Sequence, residues 1–257
     1  MILKQKNGIS FFQFPNLALF ADIRHAVFTR NGGHSSVPFR SLNVSPGVGD
    51  EEKAVKENRA LISREMGEKE SVFAGQIHGT TVLVFSKQDT SVPRSLGKAV
   101  LIGDAMVTDI REKNLVIQVA DCQAVLIYDP VRRVIANIHS GWRGSIADII
   151  GHTLSAMKNN FGCDPGHIVA GIGPSLGPCC AEFVNYKEEI PENFRKYKND
   201  SCHFDFWAVS RDQLCGAGVS QENIHISGLC TRCRTDLFFS YRAEGITGRF
   251  AAVIGLK

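Results

Sequence analysis

The clearest pattern lies in the middle of the chain. Leu115 to Ala120 is largely apolar and rich in β-branched residues, Ala124 to Tyr128 forms a second run, and Val134 to Ile138 a third. Short apolar runs without strict alternation predict strands covered on both faces. Asp129-Pro130 supplies a turn between the second and third runs, so these two predict a hairpin. Asp121-Cys122 interrupts the pattern before the second run, and His139 stands at the end of the third.

Ala26 to Thr29 reads as a strand ended by the turn Arg30-Asn31-Gly32-Gly33, and Pro46 to Asp50 as loop. Asp50 then suits a helix N-cap, with Glu51 and Glu52 in the first turn, where the dipole favours negative charge. That helix should run to about Met66, with Val55, Leu61, Ile62 and Met66 on its apolar stripe. Asn58 and Arg59 fall on or beside the stripe. An inward Arg needs an anionic partner; the plainer alternative is an Arg that snorkels to solvent.

Ser71 to Phe85 holds two strand-like runs with Gln76-Ile77-His78-Gly79 between them, and Lys98 to Asp109 a further strand or two. Gly141-Trp142-Arg143-Gly144 leads into a helix with Ile146, Ile149, Ile150, Leu154 and Met157 on one face, which places Arg143 near a helix N-terminus suited to anions. His167 to Ile172, Ile224 to Ser227 and Arg249 to Gly255 read as strands, and Trp207 to Ala217 as a helix. The mixture predicts an α/β fold with helices packed on a largely mixed sheet. No repeat or Pro/Gly/Ser linker divides residues 1–257, so one domain is expected.

Composition narrows the function. A net charge of +3 over 257 residues, with no basic run, does not suggest a nucleic-acid binder. No stretch approaches the ~20 apolar residues that cross a bilayer. Phe11 to Phe20 is broken by Gln13, Pro15 and Asn16, so it does not read as a signal peptide. Eight cysteines in a chain this long need not form a disulfide framework. A cytoplasmic protein with free thiols is expected.

Three segments carry chemistry: Gly75-Gln76-Ile77-His78-Gly79, Ala120-Asp121-Cys122-Gln123 and Ile138-His139-Ser140-Gly141-Trp142-Arg143-Gly144. Each puts one metal ligand at the edge of a strand-like run. Two imidazoles and a thiolate would leave a tetrahedral zinc one open position, as catalysis requires. Cys122 lies 44 residues after His78, and His139 17 after Cys122, so only folding could unite them. A lone His is more often structural, and His25, His34, His152, His167, His203 and His225 are read that way. Cys122 alone would be a buried thiol, and Asp121 would raise its pKa; a metal would overcome that. Cys230-Thr231-Arg232-Cys233 lacks a second pair at zinc spacing, since Cys179 and Cys180 are adjacent, so no metal or redox role is expected there. Gly171-Ile172-Gly173 with Gly177 matches neither a Walker A loop nor the dinucleotide fingerprint.

Several short motifs join these: Thr29-Arg30-Asn31-Gly32-Gly33, Ser41-Leu42-Asn43, Asn58-Arg59, Asp104-Ala105, Gly173-Pro174 through Cys179-Cys180-Ala181-Glu182, Phe239-Ser240-Tyr241-Arg242 and Gly248-Arg249. With the three ligand segments, in this order, the chain resembles the YfiH-like family. That family was once labelled multicopper polyphenol oxidase or laccase-domain proteins and is now described as purine nucleoside phosphorylases. The resemblance implies a zinc held by His78, Cys122 and His139, and one α/β domain similar to the catalytic domain of cytotoxic necrotizing factor. It implies phosphorolysis of adenosine, inosine, guanosine and S-methyl-5'-thioadenosine, with adenosine deamination as well. Ala243 departs from it, since members often carry a second Arg there.

On this reading Arg59 and Arg143 hold phosphate, whose oxygens match the guanidinium fork, and Asn43 and Gln76 contact ribose or base. Asp121 and Glu182 are candidate proton carriers for deamination, and Asp121 alternatively accepts from a ligand imidazole. Partners are purine nucleosides and inorganic phosphate, with no nucleic acid or membrane, for a monomer or weak homodimer. Two rivals remain. Copper also fits a His2Cys set and binds more tightly than zinc, but the His-x-His pairs of a trinuclear copper cluster are absent from the sequence. A metal-free Cys-His hydrolase would use Cys122 as nucleophile and His139 as base.

Overall fold

The apolar runs become strands, but they are dealt out between two sheets. A computed structural model describes residues 1–87 and 101–257. In chain order the strands are β1 (Ile2–Lys6), β2 (Ile9–Gln13), β3 (Ile23–Phe28), β4 (Glu70–Phe73), β5 (Val82–Phe85), β6 (Ala105–Thr108), β7 (Lys113–Val119), β8 (Gln123–Asp129), β9 (Val134–Ser140), β10 (Val169–Ile172), β11 (Ile224–Ile226) and β12 (Phe250–Leu256). The helices are α1 (Glu52–Glu65), α2 (Trp142–Ile146), α3 (Ile149–Phe161), α4 (Tyr186–Glu189), α5 (Phe206–Gly216) and α6 (Tyr241–Glu244). The start of the strand expected from Lys98 lies outside the described residues.

One sheet has the order β1-β2-β3-β12-β7-β4 and the other β11-β10-β8-β9-β6-β5. Each mixes parallel and antiparallel pairs: β4 runs parallel to β7, whereas β12 is antiparallel to β7 and β3. The sheets face each other across one core, where Leu115, Ile117 and Ile254 of the first meet Leu126, Tyr128 and Ile135 of the second. The outer face of the first sheet buries Val116, Ala251 and Val253 beneath Ile62 and Met66 near the end of α1. The outer face of the second buries Val125, Ile127 and Ile138 beneath Ile149, Leu154 and Met157 of α3. Central strands are therefore apolar on both faces, and each buried Leu or Ile contributes roughly 1.5–3 kcal/mol.

Three expectations change. The one mixed sheet becomes two, and Ala120-Asp121-Cys122 carries the chain from β7 in one to β8 in the other, with Asp121 at φ 87. Asp50 does not cap α1, whose N-cap is Glu51 with no side-chain hydrogen bond. The Asp50 carboxylate instead accepts from Ser35 Oγ at 2.6 Å and Asn43 Nδ2 at 2.7 Å. The helix expected after Gly144 breaks into α2 and α3 at Asp148, which adopts φ 57 and accepts the Gly151 N–H as the α3 N-cap. Among the described residues no helix is long and apolar enough to cross a membrane.

Candidate metal centre and its cleft

Strand register brings the three ligands to one end of the two sheets. In the β8–β9 hairpin Ala124 faces His139 and Gln123 faces Ser140, so Cys122 leaves β8 beside the end of β9. β6 pairs with β9 so that Ala105 faces Ile138, which sets Asp104 next to His139. β4 runs parallel to β7, so the loop after β4, bearing His78, emerges at the same end as the Cys122 turn. The ligand atoms of His78, Cys122 and His139 all lie within 4.8 Å of one another. Cys122 Sγ is 3.7 Å from His78 Nε2, and the two imidazole centroids are 4.7 Å apart at 75°. Gly141 makes room: a Cβ there would stand 2.8 Å from His78 Cδ2 and 3.0 Å from Cys122 Sγ.

Asp104 organises this set. Fully buried, it takes the His139 Nδ1 contact at 2.8 Å, which leaves Nε2 for a metal. It also accepts the backbone N–H groups of His78 at 2.9 Å and Gly79 at 2.7 Å, and so fixes a loop in which His78 adopts φ 63. Burial opposes ionisation of Asp104, but His139 and those N–H groups outweigh it and hold the carboxyl below its usual range. Burial likewise pushes the Cys122 thiol up, yet the charge and hydrogen bond of His139, and those of His78, bring it down to about 6. His139 is disfavoured as a cation by burial but raised to about 9 by Cys122 and Asp104. Without metal, both shifts favour a thiolate beside an imidazolium. A thiolate is the form of sulfur that ligates, and metal binding would release the His139 proton.

The ligands face a cleft of about 1270 Å³, larger than most small-molecule sites. Arg59, Arg143, Arg242 and Arg249 line it. Among the described residues the arginines in ion pairs are Arg30, Arg133, Arg211 and Arg234, so the cleft arginines keep their charge uncompensated by a carboxylate bridge. Arg59 stacks 3.8 Å above the Phe73 ring and donates Nε–H to Val44 O at 2.8 Å. Arg249 donates to the Thr247 and Gly248 carbonyls. Burial lowers the pKa of both, though a guanidinium stays charged. Arg143 is exposed and lies 4.2 Å over the Trp142 ring.

The other expected site residues are placed differently. Gln76 lines the cleft, but its amide is spent on the backbone of Gln118, donating to O at 2.8 Å and accepting from N at 2.9 Å. Asn43 is fully buried and is not among the lining residues; it donates to Asp50 and Ser45 and accepts the Arg249 N–H at 2.8 Å. Asp121 lines the cleft while its carboxylate accepts from Thr231 Oγ1 and the Arg242 N–H, both at 2.6 Å. The carboxylate that meets a ligand imidazole is therefore Asp104, not Asp121. Ala181 and Phe183 face the cleft and Glu182 between them does not, as alternation along an extended segment requires. Sequence reasoning gave no role to Asp104 or Arg249. Both fall in motifs that carry the family resemblance, Asp104-Ala105 and Gly248-Arg249, but nothing in the sequence said what either side chain would touch.

Known proteins share both the sequence and the fold of this chain. The family described as multi-copper polyphenol oxidoreductase laccase matches residues 24–257. A purine nucleoside phosphorylase of Bacteroides thetaiotaomicron is 34% identical, with 94% of each chain covered. One of Deinococcus radiodurans is also 34% identical, covering 97% of this chain and 94% of its own. Among solved structures, YlmD from Geobacillus stearothermophilus superposes with a TM-score of 0.85 at 29% identity, covering 100% of this chain and 99% of that one. The hypothetical protein YfiH of Bacillus licheniformis gives the same TM-score and identity over 99% of both chains. The chain belongs to the YfiH-like family, whose model carries the multi-copper polyphenol oxidoreductase laccase description.

Proposed function

We propose that this protein is a zinc-dependent purine nucleoside phosphorylase. Its substrates are adenosine, inosine, guanosine and S-methyl-5'-thioadenosine with inorganic phosphate, and adenosine deamination is a second activity. One observation carries this: two imidazoles and one thiol converge at a cleft whose arginines form no ion pair with a carboxylate among the described residues. The names of the relatives supply the nucleoside. A cleft spanning both sheets supports one catalytic domain over residues 1–257, which we place in the cytoplasm.

The donor set suits zinc: borderline and soft ligands, three in number, with one imidazole oriented by a buried carboxylate. Bound by His78, Cys122 and His139, the ion would supply Lewis acidity toward a substrate oxygen. The remaining chemistry belongs to the chain. Phosphorolysis joins a phosphate oxygen to the ribose anomeric carbon while the purine departs with the bonding pair. Arg59, anchored through Nε, and Arg249, anchored through Nη1, keep their remaining N–H groups for phosphate, with Arg143 and Arg242 nearer solvent. Trp142, Phe183 and Tyr241 line the cleft and offer aromatic faces to the purine. Asn43, Gln76 and Asp121 act as positioning residues, since their polar atoms are engaged by the frame.

Purified protein of measured metal content, incubated with adenosine, inosine or methylthioadenosine with and without phosphate, should yield free base and pentose 1-phosphate only when phosphate is present. Equal base release without phosphate would contradict phosphorolysis. The thiolate–imidazolium pair favours one second reading, a Cys-His hydrolase. A covalent intermediate on Cys122 in active, metal-free protein would establish that reading instead.

A further inference from the structure

Cysteines outside the cleft centre form a second cluster. Cys179 and Cys180 lie on the loop after β10, and Cys230 and Cys233 on the turn after β11. Spacing along the chain argued against a metal here because adjacent cysteines are not a zinc pair. The fold supplies what spacing could not. A parallel bridge between Ser175 and Cys230 lays the two loops side by side. Ser175 N–H donates to Leu229 O at 3.2 Å, and Thr231 N–H to Ser175 O at 3.0 Å.

The four sulfurs then lie within 4.8 Å of one another. Cys233 Sγ is 3.6 Å from Cys179 Sγ and 3.5 Å from Cys180 Sγ. A zinc with Zn–S bonds of ~2.3 Å sets the edges of its sulfur tetrahedron at about 3.8 Å. A sulfur equally near two others, as Cys233 is, suits a shared central ion better than one partner in a disulfide. The backbone is arranged for a thiolate as well. Cys230 Sγ accepts the Gly177 N–H at 3.3 Å. A sulfur that accepts from a backbone donor suits a thiolate more than a neutral thiol, a weak acceptor. Cys180 and Cys230 are buried while Cys179 and Cys233 reach solvent, so an ion has a path in.

We infer that Cys179, Cys180, Cys230 and Cys233 hold a structural zinc ion that pins the two loops together against the wall of the cleft. Four sulfurs close the coordination shell, so this ion has no open position for a reactant. Both pinned loops reach the residue beside Cys122. Leu176 N–H donates to Asp121 O at 2.8 Å, and Thr231 Oγ1, between the two cysteines of its turn, donates to the Asp121 carboxylate at 2.6 Å.

The test separates this ion from the one in the cleft. Protein is purified under reducing conditions and its zinc counted by mass spectrometry in four forms: unaltered, Cys122→Ala, Cys179→Ser with Cys233→Ser, and all three substitutions together. Cys122→Ala should retain about one zinc per chain, and the triple variant should fall to about none. Cys122→Ala protein with no zinc and four free thiols would overturn the inference, as would four thiols joined in disulfides by intact mass. Iron in place of zinc would overturn the identity of the metal. Should the serine variants fail to fold, a mercurial titration of folded Cys122→Ala protein gives the same answer. Zinc should appear in step with modification of these four cysteines, and zinc release without it would contradict the assignment.

Discussion

The turn at Cys122 and the turn at Cys230 use similar sulfur chemistry for different ends. Cys122 shares its space with two imidazoles, faces a cleft with four arginines, and leaves a metal room for a reactant. Cys230 sits among three other sulfurs, and a metal there would be enclosed. The difference lies in the partners. A buried carboxylate, Asp104, orients an imidazole ligand at the first site, whereas the Gly177 backbone N–H holds a sulfur at the second. Ligand number and second partners, not the presence of cysteine, separate a reactive centre from a clamp.

The comparison breaks first at Cys122. Cys122→Ala should lower phosphorolysis by roughly 10³-fold, the loss of several kcal/mol of Lewis-acid stabilisation, in steady-state assays, while leaving the four-cysteine zinc in place. Next in size, Asp104→Asn should weaken metal affinity at the cleft by about 10–100-fold, measured by competition with a chelator, without changing retention at the other cluster. A pH-dependent test sharpens the contrast between thiols. In metal-stripped protein, alkylation of Cys122 should rise through a midpoint near its lowered pKa of about 6, because the thiolate is the nucleophile. Cys179, whose thiol is pushed up by burial and by its neighbouring cysteines, should remain slow until the solution is far more alkaline. At pH 7 we expect Cys122 to react more than about tenfold faster, read by peptide mass spectrometry. Smallest is Arg59→Lys, which should raise KM for phosphate roughly fivefold, about 1 kcal/mol, because an ammonium cannot form the bidentate fork.

Much of this was legible in the sequence, and the failures have physical causes. The β8–β9 hairpin followed from two apolar runs around Asp129-Pro130, and its register carries Cys122 and His139 together. Apolarity alone could not say that β7 and β8 enter different sheets, because a strand covered on both faces reads alike in either. Asp104 was invisible as a positioning residue because its partner, His139, comes from an antiparallel strand 35 residues away. The β1–β2 hairpin was overlooked although Asn7-Gly8, at φ 51 and 81, is a strong turn signal; every position of β1 is exposed, so no apolar run marked it. Asn58 and Arg59, adjacent on α1, show the limits of helical periodicity. Asn58 is fully buried and satisfied by Ser35, Ser41 and Asn43, while Arg59 turns over Phe73 into the cleft.

Anomalous diffraction from crystals of the active protein, recorded on both sides of the zinc absorption edge, tests the central claim most directly. We predict a peak bonded to His78, Cys122 and His139, with Zn–N distances of about 2.0–2.1 Å and Zn–S of about 2.3 Å. Protein that cleaves nucleosides with phosphate yet shows no zinc among those three side chains would contradict it.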